Sequence, residues 1–330
     1  MSEYKPPFHI TNRMLTHVSS ISEKLGKISH FHNLESKPHL RKNNRIKSIH
    51  SSLKIEANSL SLNEVKDVIN GHMVLGSQKE IQEVKNAYDA YEKLEDINPF
   101  SIECIKELHG IMTNKLVSES GVFRSGEEGV FSGGECIFMA PPARLVSGLM
   151  KDLFEWLQEN AKEVHPLILS AIFHYEFVFI HPFSDGNGRM ARLWHTAILS
   201  KWKPVFAYMP IESQIEKYQE EYYKAIADCH VAGNSDIFVE FMLEQFDLLL
   251  DDVIGQVQSY DEQMSEYEKK LLGVMEYGVP YTANAIMEQL HLKSKETFRK
   301  NYMNPVIDKG LVAMTIPDKP QSRNQRYIKT

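Results

Sequence analysis

The chain has 330 residues, 42% hydrophobic and 25% charged, which suits an ordinary soluble globular protein with room for two or three domains. Its net charge of −7 is uneven: residues 283–330 hold nine Lys/Arg against four Asp/Glu, so a small basic module follows an acidic body. The start, "MSEYKPPFHI", lacks the apolar run of a signal peptide, and Cys104, Cys136 and Cys229 form neither a zinc pattern nor a disulfide framework, which points to a reducing cytoplasm.

In chain order, residues 1–43 mix polar and apolar types and include the basic stretch "KPHLRKNNRIK", read as a solvated face. Ile46, Ile49, Leu53 and Ile55 then fall near one helical face, with Asn43 or Asn44 as cap. "SLNEVKDVING", "SQKEIQEVKNAYDAYEKLEDI" and "SIECIKELHGIMTNKL" predict three more helices. The texture changes at Gly121: "GVFRSGEEGVFSGGECIFMAPP" has five glycines and short β-forming runs, which predicts a hairpin over 121–142. Helices resume with "ARLVSGLMKDLFEWLQEN". The longest apolar stretch, "PLILSAIFHYEFVFIHPF", carries His174 and Glu176 and reads as a buried helix, not a membrane span. "RMARLWHTAILSKW", "IEKYQEEYYKAIADCH" and "SDIFVEFMLEQFDLLLDDVIGQVQSYDEQM" extend the helical body. In the tail, "TANAIMEQL" and "SKETFRKNYMNPVIDKG" predict two helices, and "LVAMTI" with "QRYIKT" a hairpin, the outline of a winged helix.

The densest chemistry lies in "HPFSDGNGRMAR", His181 to Arg192. His181 ends an apolar helix and is suited to proton transfer near neutral pH. Gly186 and Gly188 tolerate positive φ, so backbone N–H groups can converge on an anion where the next helix begins, at about Arg189. Arg189 and Arg192 share a helical face and suit phosphate. Asp185 suits Mg²⁺, which takes one or two carboxylates plus phosphate oxygens. A base, a metal carboxylate and arginines are the parts of phosphoryl or nucleotidyl transfer. The alternative is a metal site of His174, Glu176, His181 and Asp185, whose spacing fits neither a zincin nor a Cys-rich zinc pattern.

This stretch resembles the signature of Fic proteins, HxFx(D/E)GNGRxxR, and matches every fixed position. The resemblance implies a mainly α fold, a helical core with a β-hairpin flap, beside the small α+β winged-helix-like tail. It implies transfer of AMP from ATP to a hydroxyl of a target protein. His181 would be the base and Asp185 the Mg²⁺ ligand. Gly186, Asn187 and Gly188 would form the anion hole with Arg189 beside it, and Arg192 would meet the γ-phosphate. "SSLKIEANSLSLNEV" resembles the family's inhibitory helix, (S/T)xxxE(G/N), through Ser52 and Glu56, with Ala57 where Gly or Asn is usual. Glu56 paired with Arg192 would keep that arginine from the γ-phosphate. Tyr218, Tyr222 and Tyr223, expected on a helix beyond the cradle, would lie on the adenine side.

The expected domains are residues 1–100 with the inhibitory helix at about 44–60, a core over 101–255, and the tail over 270–330. ATP and a target protein held along the flap are the expected partners, with no membrane. Self-modification, a homo-oligomer and DNA contact by the tail stay open. Two other functions stay open as well: removal of AMP by the same site, and a DNA-binding regulator whose core senses nucleotide.

Overall fold

The apolar stretch around His174 decides the architecture. In the computed structural model, which describes residues 4–30, 38–132, 135–262, 264–276 and 278–329, it forms helix α7 (Pro166–Ile180), buried nearly all round. Proline at its first turn and the His165 side chain, accepting from Leu167 N, start it. α8 (Asn187–Trp202) packs alongside and is as deeply buried. Phe154 of α6 (Ala143–Asn160) wedges edge-on against Phe173 and Trp194, tying the three helices together.

Around this pair run α1 (Asn12–His30), α2 (Pro38–Ile55), α3 (Leu62–Ile69), α4 (Gln78–Glu92), α5 (Ile102–Met112), α9 (Ile211–Lys217), α10 (Gln219–Ala232) and α11 (Asp236–Glu262). Ser61 with Glu64 and Ser77 with Glu80 form capping boxes at the starts of α3 and α4. α1 was not expected, although Met14, Ile21 and Leu25 are its buried stripe. α2 starts at Pro38, so Asn43 and Asn44 are interior to it and not caps; Asn44 instead donates to the Tyr208 carbonyl.

The expected hairpin is present as β1 (Gly129–Ser132) antiparallel to β2 (Glu135–Met139), with a register shift after Val130. Gly133 and Gly134 lie outside the described residues, as do Lys37 of the basic stretch, Gln263 and Thr330.

By compactness the chain divides into Met1–Gly26 with Lys42–Leu250, and Lys27–Arg41 with Asp251–Thr330. The boundary expected at 100 therefore falls inside the first unit. In the second, α12 (Glu266–Gly273), α13 (Ala283–Gln289) and the helical run Lys295–Asp308, which passes through a π turn at Phe298–Met303, enclose Phe298, Met303, Val306 and Leu271. The predicted tail hairpin forms as β4 (Val312–Met314) with β5 (Tyr327–Lys329), and an unforeseen β3 (Pro280–Tyr281) adds to β5. Lys293, Lys295, Arg299 and Lys300 are exposed on this unit. Among the described residues no helix is long and apolar enough to cross a membrane.

Candidate functional site

The α7–α8 connection is held by its own side chains. Asn187 accepts from Phe183 N at 2.9 Å and donates to Phe183 O at 2.7 Å, closing the turn. Its side chain is thus a clamp, and only its backbone remains for an anion. Gly186 has φ +80°, a left-handed position where a side chain is strained. Gly188 differs from expectation: it lies inside α8, which begins at Asn187, without positive φ. What it supplies is space. A Cβ there would run into the Glu56 carboxylate and meet Arg192 Nη1 at 3.1 Å. No side chain caps α8, unlike the Ser-capped helices, so no capping side chain takes its first N–H groups, which suit an anion.

His181 is itself left-handed, φ 51°, at the end of α7. Its Nδ1 lies 3.3 Å from the Val178 carbonyl. Donation there leaves Nε2 as the free base. Burial lowers its pKa, so the ring stays neutral near pH 7.

Asp185 is half-exposed. Its Oδ1 accepts from Gly186 N at 2.6 Å and its Oδ2 from Arg189 Nη2 at 3.0 Å. The N–H of Gly186 is therefore committed to Asp185 here. Buried Arg189 keeps Nε without a hydrogen-bond partner, a donor suited to an anion. No group of three or more His, Cys, Asp or Glu that could hold a metal occurs among the described residues. The donor set at Asp185, one carboxylate beside an open helix start, fits Mg²⁺ carried by phosphate oxygens and not a protein-built cage. The alternative metal set fails: His174 bonds Tyr222 Oη at 2.9 Å, while Glu176 bonds Tyr4.

Arg192 is 1% exposed and points to α2. Its Nη2 donates to Glu56 Oε1 at 2.7 Å and to the Ser52 carbonyl at 3.0 Å, and its Nε donates to Ser52 Oγ at 3.1 Å. Glu56 is not in the helix proper. It is the last residue before a left-handed Ala57, φ 65°, with Ala57 N bonded to Lys54 O and Asn58 N to Leu53 O. That is a Schellman turn, which favours Gly or Asn where Ala57 stands. Buried Asn58 and the Ser59–Glu80 contacts pin the turn to α4.

Of the three tyrosines, Tyr222 is core: fully buried, bonded to His174 and close enough to Arg192 to feel its charge. Tyr218 is not on a helix but at the break between α9 and α10. Tyr223 is half-exposed, within the field of Glu56. Only Tyr218 and Tyr223 leave a face for a base.

Two supports escaped the sequence reading. Buried Arg124 donates from Nε to the His181 carbonyl at 2.7 Å and from its terminal nitrogens to Gly126 and Pro141, so it knits the root of the hairpin to the signature. A lone arginine among glycines was its only signal. His109 is a second imidazole in the cradle, where only His181 was expected. It accepts from Gly121 N, donates to the Asp185 carbonyl and stacks on Phe183 at 3.6 Å. Both nitrogens are used, and burial first of all lowers its pKa to about 4, so it is a prop and not a base.

The chain is similar in sequence and in fold to known proteins. The Fic/DOC family pattern matches residues 99–199, and that of the "Filamentation induced by cAMP protein Fic-like, C-terminal domain" matches 267–330. A crystal structure of a Fic family protein from Desulfovibrio desulfuricans G20 is 41% identical, covers 99% of this chain and 98% of that one, and superposes with a TM-score of 0.75. Protein adenylyltransferase fic-1 of Caenorhabditis elegans is 28% identical over 278 residues, 77% of this chain and 52% of that protein. Protein adenylyltransferase Fic of Aedes aegypti is 30% identical over 220 residues, 62% of this chain and 41% of that protein. The chain spans about half the length of these curated relatives, or less.

Proposed function

Since the chain belongs to the Fic/DOC family, we propose that it is an autoinhibited protein adenylyltransferase that moves AMP from ATP to a hydroxyl of a target protein. The observation that carries this reading is the Glu56 carboxylate lying on Gly188 and bonded to Arg192. A carboxylate there competes with phosphate for the same cation and the same space.

His181 Nε2 takes the proton of the target hydroxyl. The hydroxyl oxygen bonds to the α-phosphorus, and the bond to the β-phosphate bridge breaks to release pyrophosphate. Arg189 and the open start of α8 hold the phosphates. Arg192, once freed, orients the γ-phosphate so that the leaving group lies in line. Mg²⁺, carried with the nucleotide and held by Asp185, would neutralise phosphate charge. Each Asp185 oxygen accepts one hydrogen bond and keeps a second lone pair for the cation. The edge of β1–β2 offers backbone pairing for an extended target segment. Half-exposed Tyr223 and partly buried Tyr218 offer faces for the base.

The reverse reaction, removal of AMP with Glu56 aligning water, would use the same His181 and the same cradle. Incubation with α-labelled ATP, GTP, UTP and CTP in turn, with Mg²⁺, separates the readings. Label and an added AMP mass on protein, from ATP, is the expected result. Release of AMP from a purified modified protein, with no label gained, would replace the forward reading by the reverse one.

A further inference from the structure

The basic tail has no part in the transfer chemistry. Of the nine Lys/Arg in residues 283–330, three are committed: Lys309 pairs with Glu268 at 2.6 Å, Arg326 donates to the Gln325 carbonyl at 3.2 Å, and Lys329 donates to the Leu272 carbonyl at 2.6 Å. The others are exposed, and none is paired with a carboxylate among the described residues. They fall in two stretches. Lys293, Lys295, Arg299 and Lys300 stand at the start of the helical run Lys295–Asp308, and Lys319 and Arg323 stand in the turn between β4 and β5. The unit's own core joins these elements. α13 ends at Gln289, left-handed His291, φ 53°, turns the chain, and Ser294 caps the next helix by accepting from Thr297 N at 3.2 Å. Ile286, Met287, Phe298, Met303 and Val306 close the two helices on each other. In the sheet the last strand, β5, lies between β3 and β4. Helix, strand, helix–turn–helix and hairpin in this order are the parts of a winged helix.

We propose that this unit binds duplex DNA, with the start of Lys295–Asp308 in the major groove and the β4–β5 turn on the phosphate backbone beside it. The second helix of a helix–turn–helix enters the major groove by its N-terminal residues, where Lys293, Lys295, Arg299 and Lys300 stand exposed. Exposed cations laid on a duplex release its counterions, which drives binding. Other partners fit this face less well. A protein partner is held by apolar or aromatic anchors. The large hydrophobics exposed on this unit, among the described residues, are Tyr267 and Val279, on neither stretch. A single strand is held by stacking on aromatic rings. Phe298, Tyr302 and Tyr327 are buried in the core instead. An RNA duplex has a major groove too deep and narrow for side chains to read. In the remainder of the chain Asp and Glu outnumber Lys and Arg, which repels DNA and confines the contact to this unit.

Fluorescence anisotropy of the full chain with a labelled DNA duplex of about 20 base pairs and arbitrary sequence tests this. With about four to six phosphate contacts, affinity should fall about 10²- to 10³-fold between about 50 and about 200 mM KCl. Lys295→Ala, Arg299→Ala and Lys300→Ala together should weaken binding about 10-fold or more at about 50 mM KCl and flatten the salt slope by about 2–3. These side chains are exposed, so Tm should stay within about 2 °C of the unaltered chain. Lys319→Ala with Arg323→Ala should weaken binding about 3-fold or more, and this pair decides should the triple variant not fold. No binding at about 50 mM KCl would overturn the proposal. So would unchanged binding in the triple variant or, where that does not fold, in the pair. A single strand or an RNA duplex bound as tightly as the DNA duplex would overturn it as well. Transfer is not measured, so failure of the transferase reading leaves this result untouched.

Discussion

Arg189 and Arg192 stand one turn apart on α8, yet two different regions of the molecule hold them. The glycine turn holds Arg189 locally, through Asp185 four residues back. A helix end some 136 positions away in sequence holds Arg192, through Glu56. The first contact is part of the turn's own construction and persists wherever the turn folds. The second exists only while α2 ends where it does. A local contact builds a site, and a distant one at a helix end can be withdrawn from it.

The strongest way to sharpen this contrast is to remove the base that both arginines serve. His181→Ala should cut transfer by about 10²- to 10⁴-fold while ATP still binds, measured by labelling beside nucleotide titration. Transfer at a near-normal rate would take His181 out of the mechanism. Asn187→Ala attacks the turn alone. Losing two bonds to Phe183 should cost about 1–3 kcal/mol and weaken ATP binding with the Glu56–Arg192 pair still formed. Unchanged Tm and unchanged ATP affinity would show that the turn does not depend on its clamp.

Acidity gives a subtler probe. Neutral His181 is the competent base, and burial lowers its pKa, so kcat/KM should hold level as pH falls through 6.5 and drop only below it. A midpoint above 6.5 would contradict the buried, neutral ring. The smallest effect concerns the helix end. Ala57→Gly removes the strain of a left-handed alanine, about 1 kcal/mol, less the entropy a glycine adds to the unfolded chain. Tm should rise by about 1–3 °C, with a firmer brake and lower basal labelling. A fall in Tm would mean that the turn at Ala57 is not strained.

The same division, local against distant, explains what the sequence revealed. The signature was legible because a base, a carboxylate, two glycines and two arginines within twelve residues have no common packing explanation. The helices around Val65, Val84 and Ile105 were legible as elements, and the structure starts each on a serine cap. Tyr222 misled because aromatic spacing on a helix is the same for a core residue and for a base platform. His109 and Arg124 stayed hidden because each acts on partners far away in sequence, and no local pattern marks a buried polar residue before the fold brings its partner. Ala57 was seen as a departure, but its reason, the left-handed C′ position, needed the backbone.

The central claim is that Glu56 restrains transfer by holding Arg192. Labelling with α-labelled ATP and Mg²⁺ in the unaltered chain, in Glu56→Gly and in Glu56→Gly with Arg192→Ala tests it most directly. A charge-assisted hydrogen bond contributes about 1.5–3 kcal/mol, so Glu56→Gly should raise labelling about 10- to 100-fold. Glu56→Gln should give part of the gain, since it loses the charge but keeps the size. Adding Arg192→Ala should abolish the gain, because the freed partner is then absent. Labelling in Glu56→Gly equal to that of the unaltered chain, or a gain that survives Arg192→Ala, would contradict the claim.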